Sequence, residues 1–266
     1  MYKAFYSLSK VPFSKEISVD DLFLSTSFNE GLARLEYLKN TRGIGVLVGE
    51  PGSGKTTLLR KFSSTFNSSM YKVIYFQLST VTVSDFYRGL TYGLGQDPRF
   101  RKVDLFAQIQ QSILNFYHNQ NITPIVILDE LHMASNNFLG DISLLFNFSM
   151  DSQNPFVLCL AGLPHLMDRL KLTHMQSLNQ RIAIRHRMNP LSMEEVENYI
   201  THHLKTAGAS QMIFMPDAIE AIASRSRCYP RLINNIAIHA LNYGYAKKLE
   251  KLDAEAVYAA VTELEL

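Results

Sequence analysis

Apolar and polar positions along this chain follow two rhythms, and the change between them falls near residue 188. Before it, short apolar runs at 44–48 (IGVLV), 72–78 (KVIYFQL), 124–128 (PIVIL) and 156–161 (FVLCLA) read as strands. They alternate with stretches of helical periodicity at about 28–39, 55–66, 84–95, 103–118 and 137–150. Continuous apolar strands alternating with helices predict a parallel sheet covered on both faces. After it the pattern is helical only, at 192–206, 216–226, 230–247 and 253–263. Ser192 with Glu195 three residues on, and Pro216 followed by Asp217, mark two of those helix starts. The reading is an α/β core over residues 1–188, opened by an irregular aromatic lead-in, and a small all-helical domain over 189–266.

The first connection carries the chemistry. Residues 49–56 read GEPGSGKT, a full match to G-x-x-x-x-G-K-[ST] between a strand and a helix. Gly49, Glu50, Pro51, Gly52, Ser53 and Gly54 form a loop whose backbone N–H groups can point at phosphate oxygens. The helix N-terminus adds positive potential there. Lys55 would reach the β- and γ-phosphates and the Thr56 hydroxyl would ligate Mg²⁺, with Thr57 beside it. These residues predict binding of ATP with Mg²⁺. The fold class is therefore a P-loop NTPase, its parallel sheet sandwiched by helices and followed by a helical lid.

The strand at 124–128 runs into Asp129 and Glu130. Ligands of open α/β sheets bind beyond the carboxyl ends of the strands, which brings both acids toward the phosphates. Asp129 suits Mg²⁺ and Glu130 suits a base that orients the attacking water. His132 and Met133 follow at the same end of the sheet, either as a plain loop or as reporters of nucleotide state to a partner. Two arginines stand out beyond these motifs, Arg181 in SLNQRI and Arg231 in YPRLINN. A guanidinium on the γ-phosphate is the simplest way for a lid to sense nucleotide, and Pro230 fixes where the Arg231 helix begins.

Taken in order, GEPGSGKTT, ILDE, LNQRI and YPRLIN resemble an AAA+ ATPase of the ExeA-like branch, which includes transposition ATPases of the TnsC, TniB and MuB type. The opening MYKAFYSLSKVPFS resembles that branch's aromatic N-terminus. The resemblance implies that Arg231 is the sensor-2 arginine and Arg181 the finger offered to a neighbour's nucleotide, with Arg185 and Arg187 as rivals. It also implies that Phe5, Tyr6 or Phe13 lies near the adenine. One departure is visible: the polar sensor-1 place after the fourth core strand holds Leu163, within LAGLPH. A neighbour such as His165 then substitutes, or hydrolysis is slow.

Charge and composition refine this reading. Lys and Arg total 26 against 24 Asp and Glu, so no global pull toward nucleic acid follows. Locally, 165–188 holds Arg169, Lys171, Arg181, Arg185 and Arg187 against Asp168, and the loop after Gly95 holds Arg99, Arg101 and Lys102. In a homo-oligomeric ring or filament, Arg99, Arg101 and Lys102 would contact double-stranded DNA without reading its sequence; otherwise they are solvated or paired. Cys159 and Cys228 are too few for a disulfide framework or zinc site, and His202 and His203 diverge on a helix. The N-terminus lacks a signal-peptide apolar stretch and no run approaches the ~20 residues of a membrane span, so a cytoplasmic protein without membrane insertion is expected. The leading expectation is an ATP-hydrolysing protein, activated by oligomerisation, that assembles on DNA and regulates a transposase. The alternatives are an ExeA-type secretion-associated ATPase, which the chain's length was expected to disfavour by leaving no room for an anchor, and a nucleotide-gated switch with little turnover.

Overall fold

A computed structural model describes residues 2–77 and 82–264 of the chain. In chain order the elements are α1 (Tyr2–Phe5), α2 (Thr26–Thr41), β1 (Gly43–Gly49), α3 (Lys55–Ser64), β2 (Tyr71–Gln77), α4 (Val83–Gly93), α5 (Lys102–Asn119) and β3 (Thr123–Asp129). They continue with α6 (Asn136–Leu145), β4 (Val157–Gly162), α7 (His165–Leu170), α8 (Gln176–Gln180) and β5 (Ile182–Met188). The chain then turns helical, with α9 (Met193–Thr206), α10 (Pro216–Ser226), α11 (Pro230–Lys247) and α12 (Ala254–Glu263). Two compact units result: residues 30–50 with 55–188, and residues 1–29 with 51–54 and 189–266.

The first unit is built on a five-stranded sheet in the order β2-β3-β4-β1-β5, every pair parallel. Ile125, Val126, Ile127 and Leu128 of β3 are fully buried, because a central parallel strand is covered on both faces and can carry no polar side. β5 alternates buried and exposed residues, as an edge strand with one covered face should. The apolar runs predict no strand here, although IAIRHRM alternates with Arg185 and Arg187 on the exposed face. The short helices α7 and α8 also went unread. The helix expected over 137–150 ends at Leu145, where Phe146 caps it, and Ser149–Asp151 forms a separate 3-10 turn.

The second unit packs α9 to α12 around Ile200, Ile222, Ile233, Ile236, Leu241 and Val257. The capping box read from Ser192 and Glu195 is present, and Glu195 also accepts the backbone N–H of Thr26 at 2.7 Å. Here the structure corrects an expectation. The aromatic lead-in belongs to this unit and not to the α/β core, because Tyr6, Leu8 and Phe13 are buried in its apolar cluster. Phe13 stacks on His203 with ring centroids 5.2 Å apart, and Phe5 packs edge-on against Tyr6 and Tyr245. Tyr6 and Phe13 are thus core residues of this unit, and Phe5 is partly buried against that core.

Candidate functional site

β1 ends at Gly49 and α3 begins at Lys55, so the phosphate-loop motif spans a strand-to-helix turn as its spacing requires. Gly52 and Gly54 take φ values of +79° and +95°, a region closed to most L-residues, which explains glycine at both. Lys55 is buried, and its Nζ donates to the carbonyls of Gly49 at 2.8 Å and Glu50 at 3.1 Å. Its charge is thereby held over the mouth of the loop.

Thr56 and Asp129 meet across the carboxyl ends of the strands. Thr56 Oγ1 donates to Asp129 Oδ2 at 2.8 Å, although 73 residues separate them. Asp129 is fully buried and also accepts from the Tyr75 hydroxyl at 3.1 Å and the Glu130 backbone N–H at 2.9 Å. Three donors compensate the burial of a carboxylate that would otherwise be costly. Tyr75 was not singled out from sequence, and the signal for it lay in β2, which pairs with β3 in a register setting Gln77 opposite Asp129. Burial, reinforced by Asp129, pushes the Tyr75 hydroxyl up to about 12, so it remains a donor at neutral pH.

Glu130 follows in the left-handed conformation, φ 58° and ψ 30°. A non-glycine residue there stores strain of about 1–3 kcal/mol, a feature that concentrates at functional sites. The turn lifts the Glu130 carboxylate out of the strand, half-exposed beside the buried Asp129.

In the other unit, the Arg231 backbone N–H donates to the Gly52 carbonyl at 3.3 Å, and a Cβ placed on Gly52 would lie 2.6 Å from the Arg231 Cβ. Pro230 opens α11 at its first turn, as the sequence implied. The Ser53 hydroxyl is buried and has no hydrogen-bond partner among the described residues.

The remaining arginines separate clearly. Arg181 donates to the carbonyls of Ser143, at 2.9 Å, and Phe146, so it caps the carboxyl end of α6. Arg185 binds Asn179 through its backbone and side-chain oxygens at 2.6 and 2.9 Å. Arg187 is exposed and makes no hydrogen bond or ion pair among the described residues. In the loop between α4 and α5, Arg99 and Arg101 are exposed, whereas Lys102 pairs with Asp141 at 2.7 Å. Leu163 is half-buried at the end of β4 and His165 opens α7. Among the described residues there is no cluster of three or more His, Cys, Asp or Glu that could hold a metal, and no helix long and apolar enough to cross a membrane.

A parallel sheet of this order, with a glycine-rich loop and an Asp-Glu pair at its carboxyl edge, defines a P-loop nucleotide-binding protein of the AAA class. Residues 38–170, half of the chain, match the AAA domain family, and the chain belongs to it. Over 256 residues it is 30% identical to the general secretion pathway protein A of Aeromonas hydrophila, covering 95% of this chain and 46% of that protein. The chain thus spans about half the length of this relative, which removes the argument from length against a secretion role. Cdc6p of Pyrobaculum aerophilum shares the fold with a TM-score of 0.71 at 15% identity, over 94% of this chain and 70% of that one. The Aeropyrum pernix ORC1 protein, solved in complex with DNA, gives 0.67 at 17% identity over 94% and 68%.

Proposed function

We propose that this protein binds and hydrolyses ATP with Mg²⁺ at the Gly49–Thr57 loop, and that the nucleotide governs assembly of several copies on double-stranded DNA. The observation that carries the first part is the 2.8 Å contact of Thr56 with buried Asp129, which joins the loop to the acidic strand end. The site fits the expected ligands. Thr56 and Asp129 are hard oxygen donors of the kind Mg²⁺ takes, and the unpartnered Ser53 hydroxyl offers a further polar group on the loop. Thr56 and Asp129 would hold Mg²⁺, which when bound supplies charge neutralisation across the β- and γ-phosphates.

This chain's own groups do the rest. Lys55 and the loop N–H groups hold the phosphates, and Glu130 orients a water for in-line attack on the γ-phosphorus. Arg231, seated against Gly52, acts as the sensor-2 arginine. Because Arg181 is engaged with α6, the finger role that completes a neighbouring copy's site passes to its rival Arg187. A finger supplied in trans makes oligomerisation activating, with effects of ~10³–10⁵ in related phosphate chemistry. Lys55→Ala should abolish nucleotide binding, while Glu130→Gln should bind ATP and stop turnover. Wild-type hydrolysis by Glu130→Gln would refute the assignment of the base.

The DNA reading is supported by exposed Arg99 and Arg101 and by the DNA-bound relative of the same fold. Lys102 contributes less, being paired with Asp141. The transposase role rests on the motif resemblance alone. A second reading, an ATPase of a secretion apparatus, is favoured by the 30% identity to the Aeromonas protein. ATP-dependent DNA binding that falls steeply with salt supports the first, and ATP-dependent assembly without DNA affinity counts against it and favours a nucleotide-gated switch.

A further inference from the structure

The polar residue expected after β4 is replaced by Leu163, yet the end of the sheet is not apolar. His132 sits in the 3-10 turn Leu131–Met133 immediately after Glu130. Its side chain is 14% exposed, and its Nδ1 lies 3.3 Å from Glu130 Oε2. That nitrogen is buried and makes no hydrogen bond among the described residues, although Oε2 lies within 3.3 Å. The Glu130 carboxylate is therefore the acceptor nearest to a buried ring nitrogen that is otherwise unmatched.

The turn that carries the imidazole is held by its neighbours, and one of them meets the ring. Arg169 of α7 donates to the backbone carbonyls of His132 at 3.0 Å and Ala134 at 2.6 Å, and to the Asn136 side chain at 2.8 Å, fixing the turn's path. The His165 ring meets the His132 ring edge-on with centroids 5.6 Å apart. Gly162, the last residue of β4, admits the turn so closely that a Cβ there would lie 3.2 Å from the His132 backbone nitrogen. The end of β4 and the start of α7 thus act on Glu130 through His132, in the place where a sensor-1 side chain would act directly.

We propose that His132 is a positioning residue for hydrolysis, whose Nδ1–H holds the Glu130 carboxylate in the orientation that aligns the attacking water. This rests on Glu130 being the base. Burial, with His165 and Lys55 adding to it, lowers the His132 pKa against the opposing pull of Glu130 and Asp129. A neutral imidazole carries a single N–H, and placing that proton on Nδ1 directs it at Glu130.

The test is steady-state hydrolysis by the full chain with Mg²⁺ and ATP. Glu130→Gln is measured first, and wild-type turnover there would sink the underlying base assignment, not the His132 proposal in particular. His132→Ala should lower kcat by about 10- to 100-fold with KM changed by less than about threefold, the range that loss of alignment produces. His132→Asn places an amide nitrogen near the position of Nδ1, whereas His132→Gln places it one bond further out. The asparagine variant should recover most of kcat and the glutamine variant should not. A kcat for His132→Ala equal to wild type overturns the proposal, as does equal kcat in the asparagine and glutamine variants. Because those two differ by one methylene, their comparison stands even if His132→Ala does not fold.

Discussion

Replacing Arg181 with alanine removes the hydrogen bonds to Ser143 and Phe146 that close the carboxyl end of α6. The last carbonyls of a helix have no intrahelical partner, and a guanidinium there satisfies them while facing the negative end of the helix dipole. Hydrogen bonds to a charged group contribute about 1.5–3 kcal/mol net, and Arg181 is partly exposed, so the lower part of that range applies. The dipole term adds about 0.3–1 kcal/mol. Phe146 is fully buried between α6 and the sheet, and its ring packs on Phe156 at 4.8 Å, so the loss is transmitted into the core. The expected cost is about 2–3 kcal/mol, or roughly 4–10 °C in Tm for a chain of this size. Thermal unfolding followed by circular dichroism measures it directly, with Arg181→Lys, which retains a single cationic donor, falling between. A Tm within about 1 °C of wild type, combined with lost turnover, would refute the capping role and restore Arg181 as the finger.

Three further outcomes follow from the same geometry. Gly52→Ala forces a side chain into φ +79° and against the Arg231 Cβ, so ATP affinity should fall about five- to thirtyfold, by calorimetric titration, if the strain of ~1–2 kcal/mol is felt in the bound state. Relief of that loss in the Gly52→Ala, Arg231→Gly double variant would identify the clash, and simple additivity would exclude it. His203 is buried against Phe13, and burial, with His202 adding, lowers its pKa to about 4, so the folded state resists the proton that the unfolded state takes up near 6.5. Stability is then full above about pH 6.5 and falls as pH drops toward 4, by up to ~3 kcal/mol, and His203→Leu should flatten that slope in urea titrations. Should DNA bind, Arg99→Ala and Arg101→Ala should each reduce the salt slope of affinity by about one, with Lys102→Ala reducing it less.

Much of the fold was legible because its signals are local. The apolar runs of β1, β3 and β4 are continuous, since a strand covered on both faces has nowhere to place a polar residue, and the cap at Ser192 is complete within four residues. β5 has one exposed face carrying Arg185 and Arg187, and a half-polar strand of seven residues is easily read as a charged loop. The aromatic lead-in could not be assigned from spacing either. Tyr6 donates to the Leu249 carbonyl across 243 residues, and no local pattern records a partner that distant.

The candidate site divides along the same physical line. Gly49 to Thr57 and the Asp129-Glu130 pair lie in short segments, a strand-to-helix turn and a strand end, which spacing places side by side and which meet through Thr56 and Asp129. The arginines follow no such constraint, because a long side chain reaches whatever acceptor the tertiary fold presents. Arg181, Arg185 and Arg187 sit within seven residues of one another, and a string of letters ranks them equally. Only the fold reveals that the first caps α6, the second binds Asn179 and the third points to solvent. His132 is the sharper case. Its nearness to Glu130 in sequence is trivial, but its orientation depends on Gly162 lacking a side chain and on Arg169 clamping the turn. If His132 acts as proposed, a leucine at the expected sensor-1 position is weak evidence for slow hydrolysis, because the turn that follows Glu130 brings a polar group to within 3.3 Å of its carboxylate.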